Sequence, residues 1–592
     1  MKKIISLIGV LIMFSVALLP LYSMNLSEVS ATSEGVTGTG QAIETGFGGD
    51  IELKVTLENG EIVDIETVNS ETEGLGKTAI EKLTEQVLDQ QSIEVDVITG
   101  ATFSSEAFLT ALAAAIENAG GNSADYKGKV DKESTDKSDE TKETQVVVIG
   151  AGGAGFAAAI SAKQSGADVI LLEKLPVVGG NTLISGGEFA APGNDIQKAE
   201  GLEDSAEKFI EDLAVAGGNP ELIKVLGENA LPAAEWLRDE IGVEWLDQLM
   251  FFGGHSVKRS LIPLGHSGNE IISKYSLKAK ELGIEVLTEH DVKEILAEDN
   301  KIVGVRVETP TSNLTVLADA VIITTGGFGH NPEMLYEHDK EVDEKVLSTN
   351  SPGATGAGIL MAEQLGAATV DMDQIQLYPV CDVETGKLLY VGDTRLVGGA
   401  LLVNKDGERF VEELDTRRTI SLAIKEQIDH VGYLVWDEKS SEATGTIYSH
   451  PSEAESLYDR GLLIKADTLE ELAEHFGVNA EQLVATVNNF NENSKNDEDP
   501  EFNLRMLGWT IEEAPYYMLK TGPAVHHTMG GVEINTNAEV IHTDGNIIEG
   551  LYAAGEVAGG IHGSNRLGSA ALADITVFGR IAGQNAAEFV NE

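Results

Sequence analysis

Three glycines and one glutamate are spaced to bind a dinucleotide. Gly150, Gly152 and Gly155 form the pattern Gly-x-Gly-x-x-Gly directly after the apolar segment 146–149. Bare backbone at such a junction between a strand and a helix lets a pyrophosphate approach the N-terminal amides of the helix. Glu173 ends the next apolar run, where an acidic side chain can accept hydrogen bonds from ribose hydroxyls. The segment predicts a dinucleotide site, with a tight structural turn as the alternative.

Three later segments contain arginines and histidines that can bind or protonate an anion. They read RFVEELDTR at 409–417, PAVHHTMG at 523–530 and GSNRLG at 563–568. Taken separately, the histidines fit a packed turn, and Arg417 with Arg418 fits a solvated helix face. Their joint appearance favours a shared site.

These segments carry a family resemblance. With GGNT at 179–182, the apolar run 321–325 before Gly326 and Gly327, and GLYAAGE at 550–556, residues 145–592 resemble the flavoprotein family of soluble fumarate reductases. That family includes urocanate reductase and other enoate reductases. The resemblance implies non-covalent FAD, held by Gly150, Gly152, Gly155, Glu173, Asn181, Thr182, Gly327, Glu556 and Ser569.

The same resemblance implies the catalytic roles. His527 and Arg566 would bind the substrate carboxylate that conjugates with the double bond, and Arg417 would protonate the carbon after hydride arrives from the flavin. An arginine is an unusual acid at pH 7 because its pKa is above 12. It can serve here because the developing carbanion is a far stronger base, and the guanidinium charge stabilises it.

The distal end of the predicted site departs from fumarate reductases. Where they hold a second carboxylate with histidine and with Thr-Glu, this chain has Tyr378 and Gly392-Asp393. At about 4 Å, repulsion between Asp393 and a second carboxylate would be about 4 kcal/mol at an effective dielectric of 20. Tyr378 and Asp393 instead suit an imidazole, because a carboxylate can accept its N–H. The pair resembles that of urocanate reductases.

Two further features of that end follow from the alignment of motifs. Glu188 is a candidate second ring partner, with Phe251 or Phe252 stacking on the ring; a surface acid and core phenylalanines are the alternative. Fumarate reductases relay protons to the catalytic arginine through a glutamate and an arginine. Here the matching positions are Asp393 and Leu396, with Arg395 one step away.

The segment DVITGATFSS at 96–105 resembles the flavinylation motif of FMN-binding domains. The resemblance implies FMN joined covalently through its phosphate to Thr102 by a separate flavin transferase. The alternative is a helix N-cap formed by Ser104 or Ser105, which explains the hydroxyls but not the Thr-Gly-Ala-Thr pattern.

The periodicity predicts an α/β protein with a small module of strands and helices before a β-α-β opening. Together with the family resemblance, this implies a Rossmann-like FAD-binding domain, an inserted α+β substrate-capping domain, and a small α+β FMN-binding domain before them. Residues 121–144 are highly charged with almost no apolar side chain, which predicts a flexible linker. The predicted units are a signal peptide or anchor (1–31), the FMN-binding domain (38–120), the linker (121–144), the FAD-binding domain in two parts (145–371 and 522–592) and the capping domain (372–521).

The N-terminus indicates export. Lys2 and Lys3 precede an apolar run over 4–22 and small residues at 30–32, which is typical of a secretory signal. An uncleaved membrane anchor is the alternative. Both predict an extracytoplasmic protein, secreted or held at the cell surface.

Charge and cysteine content exclude several partners. A net charge of −56 argues against nucleic acid, which needs basic patches. Cys381 is the single cysteine, so neither a C-x-x-C-H haem nor a cysteine-ligated iron–sulfur or zinc site is predicted. Electrons would therefore come from a membrane donor and pass from FMN to FAD to a small enoate, as a terminal step of anaerobic respiration. The alternatives are reduction of fumarate or an aryl acrylate, and an extracellular flavin electron carrier without enzymatic activity.

Overall fold

The computed structural model describes residues 35–46, 49–69, 71, 76–95, 97–98, 102–127, 137–298, 301–397 and 399–592. The predicted signal peptide or anchor at 1–31 lies outside these residues. Within them, no helix combines the length and apolarity that crossing a membrane requires.

The N-terminal domain is a three-stranded antiparallel sheet covered by two helices. Alternate side chains of the central strand are buried against the helices, which is the period expected of a strand with one face in the core. The strands are Gly38–Thr45, Asp50–Glu58 and Glu61–Asn69, and the helices are Gly76–Gln90 and Thr102–Asn118.

The predicted linker over 121–144 was wrong at both ends. Ser123–Tyr126 is a 3-10 helix. The Tyr126 side chain is buried in the core of the N-terminal domain, and its hydroxyl donates to Gly60 O at 2.8 Å. Ser138–Glu143 is a strand paired in parallel with Ser312–Leu317. At residues 123–126, burial of the single Tyr126 side chain is enough to hold the chain against the N-terminal domain. The strand Ser138–Glu143 is held by backbone pairing at a sheet edge. Its side chains are polar and mostly exposed, so the sequence does not show the alternating apolar pattern that predicts a strand.

The FAD-binding region is built on a six-stranded sheet whose first five strands are parallel. The strands Val146–Ile149 and Ala320–Ile323 at its centre are fully buried, as expected where helices cover both faces. In sheet order the strands are Glu285–Leu287, Val169–Leu172, Val146–Ile149, Ala320–Ile323, Ile547–Ala553 and Glu539–Ile541. The last strand runs antiparallel to its neighbour.

The two ends of this region lie together. The C-terminal helix Ala570–Asn591 packs so closely on the first helix, Gly153–Gln164, that a Cβ on Gly583 would lie 2.2 Å from Ala158 O. A four-stranded sheet lies beside them, formed by Asp291–Glu298, Lys301–Glu308, Ser312–Leu317 and Ser138–Glu143. The other helices of this region are Gly180–Leu183, Asp195–Glu200, Ala206–Ala214, Pro220–Trp236, Gly268–Glu281, Pro332–His338 and Ala357–Gln364, with single helical turns at Leu237–Ile241 and Leu264–His266; its short strands are Phe189–Ala190, Trp245–Met250, Ser260–Pro263, Thr369–Val370 and Gly531–Val532.

The capping region surrounds one long strand, Tyr516–Thr528, which continues through the boundary predicted between residues 521 and 522. It carries the two adjacent histidines towards the FAD-binding region. The strands paired with it are Leu347–Ser348, Ile375–Cys381, Gly432–Asp437 and Leu463–Ala466, and Leu401–Val403 extends the sheet. The helices are Tyr390–Val397 (3-10), Arg417–Lys425, Ile428–His430 (3-10), Glu438–Thr444, Thr446–Ser449, Pro451–Asp459, Leu469–Phe476 and Ala480–Lys495.

The N-terminal domain contacts the FAD-binding region beside Glu173. Lys82 Nζ donates to Glu289 Oε2 at 2.9 Å and to Thr288 Oγ1 at 3.0 Å. Val177, four residues after Glu173, is buried in the core of the N-terminal domain.

Candidate active site

The glycine turn forms a cradle for a phosphate. Gly150 has a φ of +102°, and a Cβ on Gly155 would lie 1.9 Å from Gly150 O, so neither position tolerates a side chain. Gly152 caps the helix Gly153–Gln164 without a side-chain hydrogen bond, and a Cβ on it would meet only Gly179 O, at 3.8 Å. The helix N-terminus therefore faces open space, which fits the pyrophosphate of FAD.

Glu173 is held at the end of its strand beside this turn. Its Oε2 accepts from Ala151 N–H and its Oε1 from Leu175 N–H, both at 2.9 Å. Burial raises its pKa above the usual range. Each oxygen keeps a lone pair, so the carboxylate can still accept a ribose hydroxyl.

The other predicted FAD residues converge from distant segments. Asn181 Nδ2 donates to Glu556 Oε2 at 3.2 Å, and the Thr182 hydroxyl accepts from Gly153 N–H at 3.2 Å. A Cβ on Gly327 would lie 1.9 Å from Thr528 Oγ1, so this glycine allows strand 516–528 to approach. The hydroxyl of Ser569, the remaining predicted FAD residue, is hydrogen-bonded to the Ser260 hydroxyl at an Oγ–Oγ distance of 2.6 Å.

A second group of charged side chains lies between the capping and FAD-binding regions. Tyr378 Oη donates to Asp393 Oδ1 at 2.5 Å, and the Arg417 guanidinium carbon lies 4.9 Å from the centre of the Tyr378 ring. The charges of Asp393, Arg566 and Arg417 all act on the carboxyl of Glu188. The structure thus brings together five of the six residues predicted for the reaction and for the substrate ring.

Helix geometry separates the two adjacent arginines. Arg417 begins the helix Arg417–Lys425, which the Thr416 side chain caps. Arg418 pairs with Asp339 at 2.6 Å and with Glu341, so the surface interpretation is right for Arg418 alone. Arg417 instead faces Tyr378 and donates to Gln376 Oε1 at 3.4 Å.

Arg409 in the same sequence segment has a structural role. It is almost fully buried, paired with Glu413 at 2.7 Å and with Asp499 at 2.9 Å. A buried arginine with two carboxylates holds the loop before Arg417 in place.

Both histidines of the pair lie near the arginines, on opposite sides of the strand. His527 Nδ1 is 3.6 Å from Glu556 Oε2, whereas the His526 ring centre is 5.2 Å from that of Tyr378. Burial first, and then the charge of Arg566, lowers the pKa of each well below its usual value. Each ring is therefore neutral at pH 7 and has one N–H to donate. The sequence interpretation missed His526, although side-chain alternation along a strand places neighbours on opposite faces.

Comparisons with known proteins agree with this geometry. Residues 145–572 match the FAD-binding domain family, and residues 46–117 match the FMN-binding domain family. The urocanate reductase of Eggerthella lenta is 44% identical over 95% of this chain and 94% of its own. This chain belongs to the flavoprotein family of fumarate and urocanate reductases.

Further relatives of this flavoprotein reductase support the same fold. A cytochrome-type fumarate reductase of Shewanella frigidimarina is 38% identical over 75% of this chain and 77% of its own. The open conformation of a flavocytochrome c3 fumarate reductase superposes with a TM-score of 0.69, at 37% identity, over 79% of this chain and 84% of that one. The predicted family, fold class and FAD-dependent reduction of C=C bonds are confirmed, and both flavins are expected to bind.

The FMN motif of this reductase leads into a helix. Thr102 is the first residue of the helix Thr102–Asn118, whose N-terminus suits a phosphate group. Ser104 and Ser105 lie inside the helix, and Ser105 Oγ accepts from Ile98 N–H at 3.1 Å, so the alternative in which they precede and cap it is wrong. Asp96 and residues 99–101 of the motif lie outside the described residues, as does the side chain of Thr102.

Glu188 belongs to the site and is not a surface acid. A Cβ on Gly186 would lie 2.4 Å from Glu188 Oε1, so the glycine makes room for the carboxyl. Of the two candidate stacking residues, Phe252 packs on Gly568, where a Cβ would meet its ring at 2.4 Å. Phe251 is 58% exposed, so Phe252 is the phenylalanine beside the Arg566 loop.

Glu188 should make the stability of the substrate-free reductase depend on pH. Burial and the charge of Asp393 raise its pKa from 4.5 to about 7. Between these values the folded protein keeps a proton that the unfolded chain has released, so stability falls as the pH rises through this window. A Glu188→Gln variant should be more stable than wild type at pH 8, by up to about 3 kcal/mol, but not at pH 5.

Melting temperatures at the two pH values measure this effect. The control is Glu235→Gln, which changes an exposed glutamate in helix Pro220–Trp236. An equal difference between wild type and Glu188→Gln at both pH values would contradict the assignment.

Arg395, one step from the aligned Leu396, lies near the Tyr378 ring. Arg395 Nη1 donates to Glu413 O at 3.0 Å, and its guanidinium carbon lies 5.9 Å from the centre of the Tyr378 ring. Arg395 and Arg417 therefore both approach Tyr378. The pocket keeps an arginine near the ring although Leu396 stands at the aligned position.

Proposed function

We propose that this reductase acts on urocanate and yields dihydrourocanate. The observation that carries the proposal is the hydrogen-bonded pair of Tyr378 and Asp393, with Glu188 acting on the same pocket. Their oxygens can accept the N–H groups of an imidazole, and a protonated ring would gain from the negative charge. The 44% identity to a urocanate reductase supports this choice.

The Arg566 end of the pocket suits the carboxylate of the substrate. Arg566 is buried, and burial together with the charge of Arg417 lowers its pKa to about 9, so it stays charged at pH 7. Its Nε has no partner in the described residues and is available to a carboxylate. Neutral His527 adds a donor. Positive charge at this end stabilises the electrons that spread into the carboxylate as the double bond is reduced.

Arg417 is placed to give the proton. When bound, FAD supplies the hydride that adds to one carbon of the double bond. Arg417 delivers its proton to the other carbon, and the resulting neutral guanidine recovers a proton from solvent. Burial already lowers the pKa of Arg417, which makes the proton easier to release.

Other enoates fit the ring end less well. A second carboxylate, as in fumarate, would approach Asp393 and Glu188 and be repelled. A phenyl ring, as in an aryl acrylate, has no N–H to donate. Asp393 would keep its hydrogen bond from Tyr378, and neither Asp393 nor Glu188 would receive one from the substrate. Each hydrogen bond that the substrate fails to make to such a carboxyl costs about 1–3 kcal/mol.

The proposal includes the location of the enzyme, its electron donor and the attachment of FMN. The N-terminal segment supports an extracytoplasmic enzyme that receives electrons from a membrane donor, as a terminal step of anaerobic respiration. An exported enzyme could not easily recapture a lost cofactor, which supports covalent FMN on Thr102, attached by a flavin transferase.

Replacing Thr102 tests the covalent link. We expect Thr102→Ala to abolish flavin fluorescence of the denatured protein on a gel while non-covalent FAD is still released at one equivalent. Thr110→Ala, which changes a hydroxyl eight residues further along the same helix, is the matched control. Fluorescence retained by Thr102→Ala would place the flavin elsewhere.

Identification of the product tests the proposed substrate. The flavinylated protein is incubated without oxygen with urocanate and an excess of reduced viologen, and the products are separated by mass. A product heavier than urocanate by two hydrogens is expected, with two viologens oxidised for each molecule formed. A parallel incubation contains fumarate in place of urocanate. Reduction of fumarate while urocanate stays unchanged would overturn the proposal.

A further inference from the structure

The helix that carries Asp393 is held at its start by a second half-buried carboxylate, that of Glu453. Glu453 Oε1 accepts from Val391 N–H at 2.8 Å, and its Oε2 accepts from Tyr390 N–H at 3.2 Å. These are the first two residues of the 3-10 helix Tyr390–Val397. Because the first N–H groups of a helix have no partner within it, one side chain satisfies two of them.

A second contact from the same element holds the Tyr390 ring. His450 immediately precedes the helix Pro451–Asp459 that contains Glu453, and its ring is stacked on Tyr390 with centres 4.7 Å apart and planes inclined by 13°. Thr446 Oγ1, four residues earlier, lies 2.6 Å from Thr394 Oγ1, next to Asp393. The segment from Thr446 to Glu453 therefore contacts both the backbone and the side chains of the helix that contains Asp393.

Glu453 is also electrostatically linked to the substrate pocket. Burial is the main cause that raises its pKa to about 7, and the negative charges of Asp393 and Asp382 contribute. Asp382 is neutralised by Arg460 at 2.7 Å. Asp393 is therefore the acid of the pocket to which Glu453 is most directly coupled.

We propose that Glu453 is a positioning residue for substrate selection. By holding Tyr390 and Val391 it fixes where Asp393 meets the substrate ring, and it acts on affinity through Asp393 without touching the substrate. This inference rests on the proposed function, in which Asp393 is the acceptor of the ring N–H.

The test is a double-mutant cycle of Glu453→Gln and Asp393→Asn. The glutamine keeps the shape but has only one acceptor oxygen, so its amide N–H₂ must face a backbone N–H. We expect Glu453→Gln to raise KM for urocanate about 10-fold with kcat changed by less than about 2-fold, the scale of one lost hydrogen bond to a charged group. In the Asp393→Asn background the same change should alter KM by less than about 2-fold. Glu455→Gln, at an exposed position of the same helix, is the matched control and should match wild type.

Two results would overturn the inference. Equal effects of Glu453→Gln in both backgrounds would show that it does not act through Asp393. A fall in kcat with unchanged KM, accompanied by a lower melting temperature, would show a merely structural role. If wild type fails to reduce urocanate, the proposed function fails. If wild type reduces urocanate but the cycle gives either of the two results above, the inference alone fails, so the two failures remain distinguishable.

Discussion

Replacing Arg417 by glutamine should lower kcat for urocanate by about 10³-fold or more while FAD stays bound. The variant loses the group placed to donate a proton, a contribution of about 10²–10⁴-fold, and also loses a positive charge beside the developing carbanion. Gln376, Tyr378 and Asp393 remain, so the substrate should still bind. Steady-state oxidation of reduced viologen gives kcat, and the flavin absorption spectrum reports FAD content.

The neighbouring arginine is the control for this prediction. Arg418→Gln removes the same charge one residue away, where the side chain pairs with Asp339 and Glu341 at the surface. It should keep kcat within about 2-fold of wild type, because the charge of Arg418 is paired with Asp339 and Glu341, whereas that of Arg417 lies over the Tyr378 ring. Wild-type turnover by Arg417→Gln would contradict the assignment, because it would show that another group donates the proton.

Replacing Asp393 by asparagine should change which substrate the enzyme prefers. We expect kcat/KM for urocanate to fall about 10²-fold, because a buried charge-assisted hydrogen bond to the ring is lost. For fumarate, kcat/KM should rise, since the repulsion of its second carboxylate is relieved. Tyr378 would keep a hydrogen-bond partner in the amide oxygen, so the fold of the pocket should persist.

Parallel kinetics with both substrates measure this switch. Asp373→Asn is the matched control, since Asp373 is exposed just before the strand that carries Tyr378. A uniform decrease with both substrates would indicate damage to the pocket and not a ring-specific contact.

The FAD-binding region was predictable because its signals are local. A buried parallel strand, a glycine turn and a helix follow one another within about 20 residues. Gly150 and Gly155 are required by close backbone approaches that the structure contains, and Gly152 leaves open space at the helix N-terminus. The roles of Arg417 and His527 came from the family resemblance, and the structure places both residues beside Arg566.

Other features depend on contacts between distant residues and could not be predicted. Arg409 and Arg417 share one segment, but only the fold shows that Asp499, 90 residues further on, neutralises the first. Glu453 belongs to no motif, and its proposed positioning role follows from its hydrogen bond with Val391, 62 residues earlier. Sequence composition misled at 138–143, where backbone pairing and not apolar side chains orders the strand.

The preference of the enzyme for urocanate is tested by measuring kcat/KM of the wild type for urocanate, fumarate and cinnamate under identical anaerobic conditions. Reduced viologen serves as the donor, so the unidentified physiological partner is not needed. We expect urocanate to be preferred by at least about 10²-fold over both others, the scale of one charged contact in the pocket. Equal rates for the three, or a preference for fumarate, would contradict the assignment of Tyr378, Asp393 and Glu188 to an imidazole ring.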